Sequence, residues 1–274
     1  MIFLPNRNPL ENNQQKTRYA LGLQYLGTHF SGWQTQKNPQ LRTVQSVLER
    51  AISKIANEPI KVICAGRTDA GVHALSQVVH FETAKIRADY AWLRGINAHL
   101  PDDCSVSWIT AVSLDFHARF SAIGRHYRYY IYQSDYRSAL LCATQTWIYG
   151  DLDIKMMQKA ANLLVGTHDF SAFRSSECQA KSPIRTLHQL NIEKTEQGLV
   201  IYAHANAFLH HMVRNLVGVL VPIGQGKKDY AWALQVLESK TRGDAGITSA
   251  AQGLFLTQVD YPTALLDITK IHNY

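Results

Sequence analysis

Charge is scarce in this chain of 274 residues: Asp, Glu, Lys and Arg together make up 18% of it, below the quarter or so usual in globular domains. Beside 46% hydrophobic residues, that scarcity excludes a disordered chain or a coiled coil. Cysteine is sparse as well. Cys64, Cys104, Cys142 and Cys178 form no CxxC pair, which argues against a zinc knuckle, a redox dithiol or a disulfide framework. No apolar run approaches the ~20 residues that span a bilayer, so no membrane partner is expected. The opening MIFLPNRNPLENNQQKTRYA breaks its short apolar stretch at Pro5 and lacks an n-region and a cleavage site. A reducing, cytoplasmic setting is the expectation. Neither GxxxxGK[ST] nor GxGxxG occurs, which disfavours nucleotide hydrolysis and dinucleotide chemistry. H-x-E with P-C-x-x-C is missing too, and with it the zinc nucleobase deaminases.

What charge there is leans one way. The 28 Lys and Arg against 21 Asp and Glu give +7, shared by both halves of the chain. A compact basic protein suits an anionic partner, most commonly nucleic acid. Periodicity supplies the architecture. Residues 17–26 alternate and predict a strand. Val44, Val47, Leu48, Ala51, Ile52 and Ile55 fall at helical spacing behind a candidate N-cap, Thr43. Strands are expected at 60–65, 76–82 and 105–113, with a helix at 88–99. The second half repeats the order: a strand at 123–133, a helix at 153–165, strands at 185–194 and 198–206, an apolar helix from Phe208 to Val221 and a strand at 252–260. An extra helix is expected at 229–239. Both halves follow β-α-β-β-α-β, the ferredoxin-like order. The expectation is an α+β fold of two ferredoxin-like halves. They join into a mostly antiparallel sheet with helices on one face, an open face beyond it, and a central catalytic cleft. The divisions are a mobile tail at 1–16, a first domain at 17–114 and a second at 115–274.

The strongest local signal is Ala65-Gly66-Arg67-Thr68-Asp69-Ala70-Gly71-Val72-His73-Ala74, set between two apolar strands. Asp69 is the only carboxylate between Glu58 and Glu82, with Arg67, Thr68 and His73 nearby in sequence. An isolated aspartate among cations can serve as nucleophile or base; an Asx-turn aspartate that caps a tight loop is the structural alternative. From Phe116 to Tyr132 the chain carries Arg119, Arg125 and Arg128, six aromatics and no carboxylate. Cations hold phosphates and aromatics stack splayed bases, so these arginines are candidate RNA contacts, with Lys181 and Arg185 extending the surface. A sheet with one core face and one solvated arginine face would show the same pattern. Arg214 stands in an otherwise apolar helix and needs either a partner or a route to solvent, because an unpaired buried charge is costly. Tyr127 and Leu254 fit core positions as well as a binding pocket. His210 and His211, taken with His204, lack zinc-ligand spacing, and no metal is expected.

GRTDAGVHA resembles the signature of the tRNA pseudouridine synthase A family. The likeness continues through Phe30-Ser31-Gly32-Trp33-Gln34, Ala118-Arg119-Phe120-Ser121-Ala122 and Tyr127-Arg128-Tyr129. It goes on through Gly166-Thr167-His168-Asp169-Phe170 with Phe173, the block from Phe208 to Asn215, and Gly253-Leu254-Phe255-Leu256. These blocks stand in family order over residues 17–261. The resemblance implies conversion of uridine to pseudouridine at positions 38, 39 and 40 of the tRNA anticodon stem-loop, without cofactor or metal, by a homodimer. It makes Asp69 the catalytic carboxylate, which attacks C1′ or C6 or abstracts the C2′ proton. Tyr127 becomes the residue stacking on the base, Arg214 the ion-pair partner of Asp69, Arg67 the residue that displaces the base, and Leu254 a wall of the uracil pocket. The competing readings are a non-catalytic RNA-binding protein, which has no need of Asp69, and a synthase acting on another RNA.

Overall fold

The computed structural model describes residues 16–38, 40–267 and 271; the expected tail lies outside them, Lys16 excepted. The first half runs β1 (Thr17–Tyr25), α1 (Val44–Ala56), β2 (Ile63–Cys64), β3 (His73–Thr83), α2 (Asp89–Asn97) and β4 (Cys104–Val112). The second runs β5 (Gly124–Gln133), β6 (Thr146–Ile148), α3 (Ile154–Leu164), β7 (Gly166–Asp169), β8 (Ile184–Thr195), β9 (Gly198–Ala205), α4 (Met212–Gly224), α5 (Trp232–Ser239) and β10 (Leu254–Asp260). The strands form one sheet in the order β4-β1-β3-β10-β5-β9-β8-β7, with β2 on β3 and β6 on β5. Within each half the pairing is that of β-α-β-β-α-β: β4-β1-β3-β2 in the first and β10-β5-β9-β8 in the second, antiparallel throughout.

Local chemistry sets the ends of these elements. Thr43 caps α1 through a reciprocal capping box with Ser46, and the helix stops at Asn57, at φ 51°. Asp153 caps α3 by accepting from the Met156 N–H at 3.0 Å. The strand expected at 60–65 shrinks to two residues because the Val62 N–H goes to the Glu49 carboxylate, 3.1 Å away, rather than to a neighbouring strand. α4 begins at Met212 rather than Phe208, since His211 sits at φ 65° and interrupts helical continuation.

Helices pack on one face of the sheet. Tyr19 and Phe81 from β1 and β3 meet Trp92 of α2. The opposite face is less open than expected. The connection between the halves lies over it, with Phe116 and His117 edge-on to His80 and the Ala118 N–H donating to His80 Nδ1 at 3.0 Å.

The halves join through one short parallel contact, Phe255 beside His73 and Leu256 beside Ala74. His73, with no exposed surface, fastens this seam. Its Nδ1 accepts the Gly27 N–H at 2.8 Å, so Nε2 carries the proton and donates to the Gln252 carbonyl at 3.0 Å. Burial lowers its pKa, and burial first, then His117, lowers that of His80 to about 4.

These buried neutral histidines make stability depend on pH. A depressed histidine pKa means that the unfolded chain binds protons first, so stability is full above about pH 6.5 and is lost as pH falls toward 4. Urea denaturation should show a loss on the order of 2 kcal/mol across that window, and His80→Gln should flatten it. An unchanged slope would remove His80 from the account.

Candidate active site

β3 shares its outer edge between two strands. β2 pairs with Val79 and His80, and β10 with His73 and Ala74. The loop from Ala65 to Val72 emerges in the fork between them. It is fixed along its length. The Ala65 N–H donates to the Val78 carbonyl at 2.8 Å, and the Trp33 N–H to the Thr68 carbonyl at 2.9 Å. Gln77, fully buried, donates to the Gly66 carbonyl at 2.6 Å. Tyr25 Oη lies 2.8 Å from Thr68 Oγ1. Gly71 turns the chain back at φ 79°, a conformation that a side chain would strain. The tip, Asp69, is thereby aimed at the second half.

Across the seam it meets the start of α4. Arg214 Nη1 donates to Asp69 Oδ2 at 3.0 Å, while its Nε donates to the Ser249 carbonyl at 2.7 Å. The guanidinium in the apolar helix thus has its partner. His210 Nε2 lies 3.1 Å from Oδ1, and His211 Nε2 lies 3.3 Å from Oδ2. Burial lowers the pKa of His211 against the opposing pull of Asp69. The positive end of the α4 dipole adds to the same field. About a fifth of the Asp69 side chain, 21%, remains open to solvent, enough for a substrate atom to approach.

Tyr127 walls the site. It is buried edge-on against Phe208 at 5.1 Å, and its hydroxyl is 3.9 Å from where a Cβ on Gly66 would stand. Burial raises the phenol pKa well above its ordinary value, with Asp69 adding to the shift, so the group is neutral near pH 7. Leu254 is buried and Leu256 pairs with Tyr127; alternation places both leucines on the Tyr127 face. Cys64, just before the loop, is no competing nucleophile, because burial pushes its thiol up to about 12.

Several sequence expectations are corrected. His73 faces Gly27 and Gln252 rather than Asp69. Arg125 is not a surface cation. It is buried, and its guanidinium donates to the carbonyls of Ala122, Asn206, Ala65 and Arg119 at 2.8–3.1 Å. Arg128 is exposed, so its candidacy as an RNA contact stands; it lies on the opposite face from Tyr127, with its guanidinium 5.2 Å from the Tyr202 ring centre. Arg185 is half-buried and already donates to Ser182 and Ile184. Arg67, Arg119 and Lys181 are exposed. His204 belongs with His126 and Asp260, away from His210 and His211. The grouping of His210 and His211 with His204 does not hold; the sequence signal for their place at Asp69 is their position just ahead of Arg214. Asp69, His210 and His211 have donor atoms within 4.8 Å of one another, yet the Arg214 cation on Oδ2 opposes a metal ion there.

Arg125→Ala should leave four carbonyls, one buried and three part-buried, without their donor and destabilise the fold by about 3 kcal/mol, as read by chemical denaturation. A shift below about 0.5 kcal/mol would show that the guanidinium is dispensable.

A family profile described as tRNA pseudouridine synthase matches residues 23–121 and 160–262. The tRNA pseudouridine synthase A of Pseudoalteromonas atlantica is 54% identical over 245 residues, 89% of this chain and 92% of that protein. Those of Pseudomonas aeruginosa and Pectobacterium atrosepticum are 50% and 48% identical, over 90% and 92% of this chain and 86% and 88% of their own lengths.

Proposed function

The chain belongs to the tRNA pseudouridine synthase family, and from that premise we propose that it isomerises uridine to pseudouridine at positions 38, 39 and 40 of the tRNA anticodon stem-loop, with Asp69 as its one catalytic carboxylate and no cofactor. The observation that carries this reading is the Asp69–Arg214 pair at 3.0 Å, made across the seam between the two halves. A non-catalytic RNA-binding protein has no use for a carboxylate aimed into a walled cleft.

The reaction rearranges one nucleotide without net gain or loss of atoms. The N1–C1′ bond breaks, the uracil turns, C5 bonds to C1′, the C5 proton leaves and N1 gains one. Arg214 and His211 occupy the Oδ2 side of Asp69, and His210 lies at Oδ1. This fixes the carboxylate where the flipped nucleotide arrives. Tyr127 offers a neutral ring to stack on the base, and Leu254 closes the pocket, so the freed uracil turns out of contact with water. Extrusion from the helical stack costs a few kcal/mol, which Arg67, exposed two residues before Asp69, is placed to offset. Arg119 and Lys181 hold phosphates. The two topological halves act as domains that each supply part of one site. A homodimer, in which one tRNA touches both subunits, completes the proposal; sedimentation at the 30.9 kDa mass of a single chain would remove the second subunit from it.

Asp69→Asn should bind tRNA transcripts as wild type does yet form no pseudouridine, and Arg214→Ala should slow single-turnover conversion by about 100-fold or more. Pseudouridine at the wild-type rate from the asparagine variant would overturn the role of Asp69. A wild-type protein that binds but never converts would favour the binding protein. Arg119→Ala should reduce the slope of log affinity against log salt by about 1; an unchanged slope would remove Arg119 from the RNA surface.

A further inference from the structure

The second histidine cluster lies on the face of the sheet turned away from Tyr127. His126 on β5 and His204 on β9 are direct cross-strand partners. Their imidazoles stack at 3.9 Å with 9° between planes. Asp260 on β10 pairs with Gly124, two residues before His126. The Nε2 atoms of both histidines converge on one oxygen, Asp260 Oδ2, at 2.6 and 3.5 Å. The Gln258 amide donates to the other oxygen, Oδ1, at 2.7 Å, and so turns Oδ2 toward the imidazoles. The side chains of His126, His204 and Asp260 are 29%, 25% and 26% exposed. A fourth direction therefore opens to water, beside the exposed His188, whose ring centre is 4.8 Å from that of His204.

We propose that His126 Nε2, His204 Nε2 and Asp260 Oδ2 form a binding site for a divalent zinc-class metal ion. Tetrahedral zinc with bonds of about 2.0–2.1 Å sets its donors about 3.3–3.4 Å apart, and the observed separations of 2.6 and 3.5 Å bracket that spacing. The imidazoles must turn out of their 9° stack for both in-plane Nε2 lone pairs to meet at one ion, while the paired strands hold the three backbones in place. The backbone leaves room: a Cβ on Gly124 would stand 2.5 Å from Asp260 Oδ2 and 2.8 Å from His204 Nε2, filling the place where the donors meet. The charge environment separates this cluster from the one at Asp69. There a guanidinium occupies the carboxylate; here the ion-pair partners of Asp260 are imidazoles alone, among the described residues. Gln258 plays the outer part that orients a metal-binding carboxylate. Binding needs both Nε2 atoms free of a proton and ties β10, the strand that joins the halves, to β5 and β9.

The test is titration of chelator-treated, full-length protein with Co2+, followed by displacement with Zn2+. The expected result is one equivalent of Co2+ with the intense visible absorption of a tetrahedral site, bleached by Zn2+, together with a rise in Tm on adding Zn2+. His204→Gln and Asp260→Asn should each abolish the absorption, Gln258→Ala should weaken binding by about tenfold, and His210→Asn should leave it intact. Near-ultraviolet circular dichroism reports whether each variant is folded, and either ligand variant alone suffices for the comparison. No tetrahedral spectrum in wild type, or one that survives in a folded His204→Gln or Asp260→Asn protein, overturns the site. Loss of the spectrum in His210→Asn would place the ion at Asp69 instead and overturn it equally.

Discussion

Everything at the site depends on the sharing of one strand edge. β3 can pair with only one neighbour at a time along its outer side, and it divides that side between β2 and β10. The chain between β2 and β3 must leave the sheet where the two neighbours part, and the strand that closes the fork belongs to the other half. A residue at the tip of that loop therefore faces residues far away in sequence: Asp69 and Arg214 are 145 positions apart. The seam itself is only two residue pairs long. Its strength comes from what is buried around it. His73 has both ring nitrogens satisfied, and Arg125 gathers four carbonyls from segments on both sides of the fork. Such groups are costly to bury unpaired and rigidify what they join when paired.

Electrostatics follows from the same geometry. α4 is apolar around nearly its whole circumference, so a guanidinium in its first turn needs acceptors opposite it, and a carboxylate meets its charge as well as its hydrogen bonds. The loop supplies that carboxylate. Arg214, two imidazoles and a helix N-terminus then surround one acid that stays partly open to solvent. On the far face of the same sheet, strand register brings two imidazoles to another carboxylate without any guanidinium. The two clusters use the same residue types, and the presence or absence of one arginine gives them different chemistry.

Much of the fold was legible in the sequence because it rests on local periodicity. The alternation of Tyr19, Leu21 and Leu23 and the helical spacing of Val44, Val47, Leu48, Ala51 and Ile52 correspond to β1 and α1. β6 and β7 were not anticipated; three or four residues of mixed polarity carry no period. Composition does not separate the arginines of the aromatic segment, of which Arg125 is buried while Arg119 and Arg128 are exposed. Alternation already placed Arg125 on the same side as Tyr127 and Tyr129, the side that turned out to be buried, and Arg128 on the other. The histidines at Asp69 were hidden for another reason. Contact across a seam has no local signature, and a His-His pair before a helix resembles many surface turns.

The most direct measurement of the central claim is nucleotide-resolution mapping of pseudouridine in an unmodified tRNA transcript incubated with the purified protein in excess chelator. Conversion is expected at positions 38–40 wherever uridine stands there, with no metal or cofactor added. Unconverted uridines at those positions, conversion confined to other positions, or conversion that requires an added cofactor would contradict it.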